Sequence, residues 1–110
     1  MLKKKERLSR SEFNRFFSVG KRYHSPSLML IHSPYEHFQA SAVAPKKVAR
    51  TAVLRNKFRR RVYDMFRHLR TEREFFGVFI TIAKPGATDR SYAEIKEELR
   101  ELVRKTGALR

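Results

Sequence analysis

The stretch from Thr51 to Arg70 reads TAVLRNKFRRRVYDMFRHLR. Its apolar residues recur at positions 54, 58, 62, 65 and 69, at spacings of four, four, three and four. Those intervals hold one stripe on one side of a helix, whereas a strand needs a period of two. The spacing predicts a long helix over residues 51–70, with Leu54 and Phe58 holding its start to the rest of the protein. On a wheel of about 100° per residue, with Leu54 at zero, the stripe spans roughly 0° to 80°. Arg59, Arg70, Tyr63, Asn56, Arg67 and Arg60 then follow one another between about 140° and 240°. One asparagine therefore stands inside a face of cations. Guanidinium forks grip phosphate oxygens, and an amide offers a donor and an acceptor together. A solvated basic face is the plain alternative, but such faces usually mix both signs, and here only Asp64 interrupts the cations.

Working outward, Ser9 with Glu12 three residues later is a capping box, with Leu8 placed to staple onto Phe13. Gly20 suits the helix stop, so residues 10–18 form a short first helix. Leu28 to His32 and Phe38 to Ala44 are apolar or alternating runs separated by SPYEH, and they read as an antiparallel pair. In the second run Phe38, Ala40, Ala42 and Ala44 share a face whose small side chains allow close approach. Gly77 to Ala83 (GVFITIA) reads as a strand closed by Lys84-Pro85-Gly86. Ser91 with Glu94 is another capping box, and Tyr92, Ile95, Leu99 and Leu102 form the stripe of a last helix ending near Gly107. The expected fold is α+β: a small, mainly antiparallel sheet packed with three helices in the order α-β-β-α-β-α.

At 110 residues the chain is one domain's worth, read here as a single RNA-binding domain with a short basic tail over about residues 1–8. Lys and Arg number 26 against 11 acids, a formal charge of +15. Residues 1–22 carry +6 of this and residues 46–73 carry +9. That field attracts polyanions, nucleic acid first and an anionic membrane surface second. No run is apolar enough to span a membrane, and Met1 to Arg10 lacks the apolar segment of a secretory signal. Without cysteine there is no disulfide framework and no thiolate metal site, which fits a reducing cytoplasm.

Lys46 and Lys47 precede the long helix and extend its phosphate track. Phe13, Phe16 and Phe17 lie among Arg10, Arg15, Lys21 and Arg22, a mixture that suits either stacking of unpaired bases or an ordinary core. The four histidines read as surface or turn residues, and the last helix's Glu94, Glu97, Glu98 and Glu101 are explained by ion pairing with its cations. No phosphate loop, no activated nucleophile and no metal-ligand pattern is present, so no catalytic residue and no metal ligand is assigned.

The run PKKVARTAVLRNKFRRRVYDMFR, residues 45–67, resembles the signature of the bacterial ribonuclease P protein subunit at Lys46, Lys47, Ala52, Val53, Arg55, Asn56, Arg60, Asp64, Phe66 and Arg67. The likeness extends to RLSRSEFNRFFSVGKR before it and ITIAKPGA after it. It implies a fold like the second domain of ribosomal protein S5, with a left-handed βαβ crossover, opposite to the usual hand. It implies that a large RNA is the catalyst of this endonuclease, a hydrolase that matures the tRNA 5′ end. The protein then assists in a 1:1 ribonucleoprotein, and magnesium ions are held mainly by RNA. Arg55, Asn56, Lys57, Arg59, Arg60 and Arg67 are then expected to contact the RNA subunit. Phe13, Phe17, Lys46 and Lys47 are expected to face the 5′ leader of precursor tRNA. Lys57 stands where the pattern has arginine and loses the bidentate fork. Pro45 replaces a common serine, and Tyr63 a usual arginine. A ribosomal or general RNA-binding protein is the alternative from a different class.

Overall fold

A computed structural model describes residues 3–108. Helix α1 spans Arg10–Val19, and strands β1, β2 and β3 span Lys21–His24, Leu28–Ser33 and Phe38–Val43. Helix α2 covers Ala52–Glu72, strand β4 Gly77–Ala83 and helix α3 Tyr92–Lys105. The order is thus α-β-β-β-α-β-α, one strand more than the residue pattern indicates. That strand, KRYH, hides only the half-buried Tyr23 and otherwise faces solvent, so it carries no apolar run to announce it.

The sheet order is β1-β2-β4-β3, which corrects the expected pairing of the second and third strands. β2 and β3 never meet. β4 lies between them, antiparallel to β2 and parallel to β3, with Phe38 opposite Gly77 and Val43 opposite Ile82. The connection through α2 is therefore a parallel β3-α2-β4 crossover, and the SPYEH segment joins strands that are not neighbours. Alternation in a strand records which face is buried but not which strand supplies its hydrogen bonds.

Both faces of the sheet are covered, by different helices. One face presents Leu28, Leu30, Phe38, Ala40, Ala42 and Phe79 to α2 and α3, whose buried residues include Phe58, Val62, Met65, Phe66, Ile95 and Leu99. The alanines of β3 are where α2 comes close, as their size allows, and Phe38 and Phe66 meet with ring centroids 5.6 Å apart. The other face presents Ile31, Val78 and Ile80 to Phe16 of α1. The expected stripe of α2 is buried from Phe58 onward and gains Phe66, but Leu54 is 39% exposed. The periodicity continues to Leu54, but it does not pack into the core.

Local capping agrees with the sequence. Ser9 and Ser91 each accept a hydrogen bond from the backbone N–H of Glu12 and Glu94, and both glutamates return to the cap N–H. Leu8 and Phe13 both pack against the α1 side of the sheet. Gly20 ends α1 with φ of −70°, so left-handed geometry is not what it supplies. A Cβ there would lie 2.4 Å from Ile31 Cγ2 and 2.8 Å from the Phe16 carbonyl oxygen. Close passage of the chain over the sheet requires the glycine.

Residues 3–8, the described part of the expected tail, are not free. Lys4–Glu6 make one 3₁₀ turn, Arg7 bridges to Ala40, and the Leu8 N–H donates to the Ala40 carbonyl at 3.3 Å. They form a strap along β3, the strand at one edge of the sheet, where unpaired backbone groups otherwise face solvent. Met1 and Leu2 lie outside the described residues.

Two further expectations change. His32 is buried in β2, its ring stacked on Phe79 with centroids 4.7 Å apart and its Nδ1–H donating to the Val78 carbonyl at 3.2 Å. Glu98 makes no ion pair among the described residues. Its carboxylate accepts from the Ser25 hydroxyl at 2.6 Å and the Ser27 N–H at 2.9 Å, tying the β1–β2 turn to α3. Both arrangements depend on segments that the local pattern does not bring together.

Burial lowers the His32 pKa below its ordinary value of 6.5, outweighing the opposing effect of the Val78 hydrogen bond. The unfolded chain then binds the proton more readily than the folded one. Stability is full above about pH 6.5 and is lost as the pH falls from there through the lowered folded value. Thermal melts of the wild type and His32→Gln between about pH 7 and pH 5 test this: the wild type should lose more melting temperature over that window than the variant. Parallel pH profiles would remove His32 as the cause.

Candidate nucleic-acid interface

Helix α2 begins at the Thr51 cap, whose hydroxyl oxygen accepts from the Leu54 N–H at 3.2 Å. Its first turn contains no acid, although the positive end of a helix dipole favours one there. Cations follow instead, so dipole and side chains add to a single positive field. That arrangement forgoes local stability and gains attraction for phosphate.

The six residues expected to meet the RNA subunit do not share one role. Arg59 and Arg60 are exposed and have no ion pair among the described residues, as are Lys46 and Lys47 in the turn before the helix. Asn56 is exposed beside them, and its Oδ1 accepts from Arg59 Nη2 at 3.0 Å. Arg55 turns back: its Nη1 donates to the carbonyls of Ala49 and Arg50 at 3.0 and 3.2 Å, closing the turn onto the helix. Lys57 lies on another side, with Leu54 and Arg61 around a small cavity against the start of α3.

Arg67 is exposed but committed. It donates to Asp64 at 2.9 Å, and Asp64 also accepts from the Tyr92 hydroxyl at 2.8 Å, linking α2 to α3. The Arg67 and Tyr92 hydrogen bonds hold the Asp64 carboxyl below its usual range. Tyr92 is pushed up to about 12, first by burial and then by that same carboxylate. Asp64 thus fixes the Arg67 guanidinium and leaves part of its fork free.

The three phenylalanines of α1 divide. Phe16 is core, 6% exposed. Phe13 and Phe17 are half-buried and stack on each other, with centroids 5.7 Å apart and ring planes at 26°. The Arg22 guanidinium lies 5.0 Å from the Phe17 ring centroid and donates to the Phe17 carbonyl at 3.3 Å. Beside them the same face of the sheet continues through half-buried Met29, Ile82, Ser41 and Val43. An aromatic pair with a cation and a partly open apolar sheet face forms a platform for flat rings.

Charge separates by partner as well as by place. Both arginines of α3 are neutralised nearby, Arg104 with Glu101 at 3.0 Å and Arg100 with both Glu72 and Glu97, and Arg90 just before the helix pairs with Glu94 at 3.5 Å. Cations without an ion pair among the described residues lie on α2, on the turn before it and on the strap, and also on α1 and β1 at Arg10, Arg15, Lys21 and Arg22.

The family model for Ribonuclease P matches residues 2–107. The chain belongs to the ribonuclease P protein family. The ribonuclease P protein component of Microcystis aeruginosa is 32% identical over 108 residues, covering 91% of this chain and 88% of its own. Among solved structures, the ribonuclease P protein of Staphylococcus aureus superposes with a TM-score of 0.82 at 21% identity, covering 96% of this chain and 98% of that one. The Thermotoga maritima protein does so at 0.79 and 20%, covering 91% and 96%. Those two likenesses establish the shared fold.

Residue spacing alone missed the Arg55 clamp, the Asp64–Tyr92 link and the strap. Only the first had a local signal, since Arg55 sits at about 100° on the wheel, next to the buried stripe. Asn56 is placed to orient Arg59. Asn56→Ala is expected to weaken RNA binding about fivefold, the value of one hydrogen bond, with the melting temperature unchanged. Filter binding with a ribonuclease P RNA and a thermal melt measure the two; equal affinity would reduce Asn56 to a solvated residue.

Proposed function

We propose that the chain is the protein component of a ribonuclease P, serving tRNA 5′ maturation in the cytoplasm. It binds the catalytic RNA subunit through α2 and the 5′ leader of precursor tRNA over the α1 side of the sheet. The observation that carries this reading is the exposed, carboxylate-free face of Arg59, Arg60 and Asn56, within a chain that matches the family over nearly its whole length. Arg67 extends the contact towards the far end of α2, about 18 Å from Arg55 at 1.5 Å per residue. Arg55 holds the turn that presents Lys46 and Lys47. Phe13 and Phe17, with Arg22, supply the platform for unpaired leader bases, and Lys46 and Lys47 hold its phosphates.

The hydrolytic step is assigned to the RNA. Among the described residues no group of three or more His, Asp and Glu side chains is placed to hold a metal ion. No described helix is long and apolar enough to cross a membrane. The protein contributes cations that neutralise crowded phosphates and a surface that holds the leader in register.

Reconstitution tests the assignment. The purified chain is mixed with a bacterial ribonuclease P RNA at low magnesium and cleavage of precursor tRNA is assayed, with each component alone as control. Activity is expected only from the mixture. Cleavage by the protein alone, or no stimulation of the RNA, overturns it.

A further inference from the structure

Between the strap and α2 runs an open groove of about 560 Å³, within the size range of small-molecule sites. Lys4, Lys5 and Arg7 line it from the strap, Arg59, Arg60 and Tyr63 from the helix. None of the five cations is ion-paired among the described residues. The only acid lining the groove, Glu12, accepts from the Ser9 N–H through Oε1 at 3.0 Å.

The groove is built before any ligand arrives. Glu6 of the strap pairs with Arg70 of α2 at 2.9 Å, both side chains only about one-fifth exposed. Arg70 is held in turn over the Phe38 ring, 4.3 Å from its centroid. Gln39 Nε2 donates to the Lys5 carbonyl at 3.4 Å, while its Oε1 is buried with no hydrogen-bond partner. Tyr63 is half-buried against the core and its hydroxyl bonds to no described residue.

Two cationic walls, one aromatic ring and one unpaired amide oxygen suit a ligand with phosphate, a flat face and N–H donors. That is a nucleotide whose base is not in a duplex, since pairing and stacking would hide the face that a tyrosine reads. We propose that this groove is a subsite for an unpaired nucleotide of RNA, its phosphate between the strap and Arg59/Arg60, its base on Tyr63 and its N–H towards Gln39 Oε1. The proposal rests on the reading of α2 as an RNA-binding face and adds a second wall and a base contact to it.

The test titrates the full chain with a short oligouridylate and with an abasic ribose-phosphate oligomer of the same length. Tyr63→Ala is expected to weaken oligouridylate binding about 5- to 100-fold, the range for loss of one base stack, with abasic binding unchanged. Tyr63→Phe should keep the preference, and Lys5→Gln, away from the core, should weaken both probes alike. Equal loss for both probes in Tyr63→Ala, or no loss in either, overturns the subsite. Should Tyr63→Ala prove unfolded by circular dichroism, photo-crosslinking of a 4-thiouridine oligomer to the wild type decides. Adducts on Tyr63 or the strap support the subsite, and adducts confined to Phe13 and Phe17 overturn it.

The source of the nucleotide is read from the Tyr63→Ala holoenzyme. Weaker binding of the RNA subunit places it there, and weaker binding of precursor but not mature tRNA places it in the leader. Failure here with normal binding of ribonuclease P RNA removes the subsite alone, whereas absence of binding to that RNA removes the functional assignment.

Discussion

Replacing Arg59 and Arg60 together by glutamine is expected to lower affinity for ribonuclease P RNA by roughly 25- to 60-fold near 0.1 M salt. The estimate follows from counterion release, which gives each neutralised phosphate a log-log salt slope of about −0.7 to −0.9. Five such contacts along α2 predict a wild-type slope of roughly −3.5 to −4.5. Two fewer should reduce its magnitude by about 1.4 to 1.8, and extrapolation from 1 M to 0.1 M yields the stated loss. The natural control is Arg104→Gln, because Arg104 is already paired with Glu101 on an exposed face, where such a pair is worth little. Filter binding over a salt series measures all three proteins. A slope that does not change in the double variant, or an equal effect from Arg104→Gln, would show that the field is diffuse and not a docking face.

The largest effect on stability is expected from Phe79→Ala. Phe79 is fully buried in β4, and its ring centroid lies 5.5 to 6.0 Å from those of Phe38, Phe66 and Phe75. His32 stacks on it as well, at 4.7 Å. One ring therefore joins β2, β3, α2 and the segment before β4. Truncating such a side chain removes its transfer energy and leaves a cavity that four aromatic neighbours cannot readily fill, at a cost of about 3–5 kcal/mol. A domain of this length has roughly 5–15 kcal/mol in total, so the melting temperature should fall by some 12–30 °C, or folding should fail at room temperature. Calorimetry checks the value. A fall of only a few degrees would mean that the aromatic cluster repacks and that the strands are held mainly by their hydrogen bonds.

The two sets of residues behind these predictions were not equally visible in the sequence. α1, the long α2, strand β4 and α3 are all legible, because their signals are local: capping boxes at Ser9 and Ser91, a stripe at three- and four-residue spacing, and a β-rich run between glycine and proline. The basic face was legible to the same extent. Helical geometry alone puts Asn56 and Arg60 on the side opposite Phe58 and Val62, with Arg59 on the flank between.

Strand pairing was not legible. β2 and β3 look like a hairpin, yet β4, whose Gly77 pairs with Phe38 from across the whole of α2, comes between them. Hydrogen-bonding edges are chemically alike, and only the combined burial of two sheet faces selects the order. His32 and Glu98 were misread for the same reason: Phe79, Val78, Ser25 and Ser27 reach them only after the sheet and α3 are in place.

The sequence by itself determined the helices, the face of α2 that carries its charge and, through the family signature, the kind of protein this is. Tertiary structure alone decided which of those cations are free. Arg55 is spent on backbone carbonyls of the turn before the helix and Arg70 on Glu6 of the strap, while Arg59 and Arg60 remain open opposite the strap. A wheel places a side chain by angle, but whether its charge is compensated depends on carboxylates and carbonyls brought near by other segments. In a field that falls off within about 10 Å, those neighbours decide what the RNA meets.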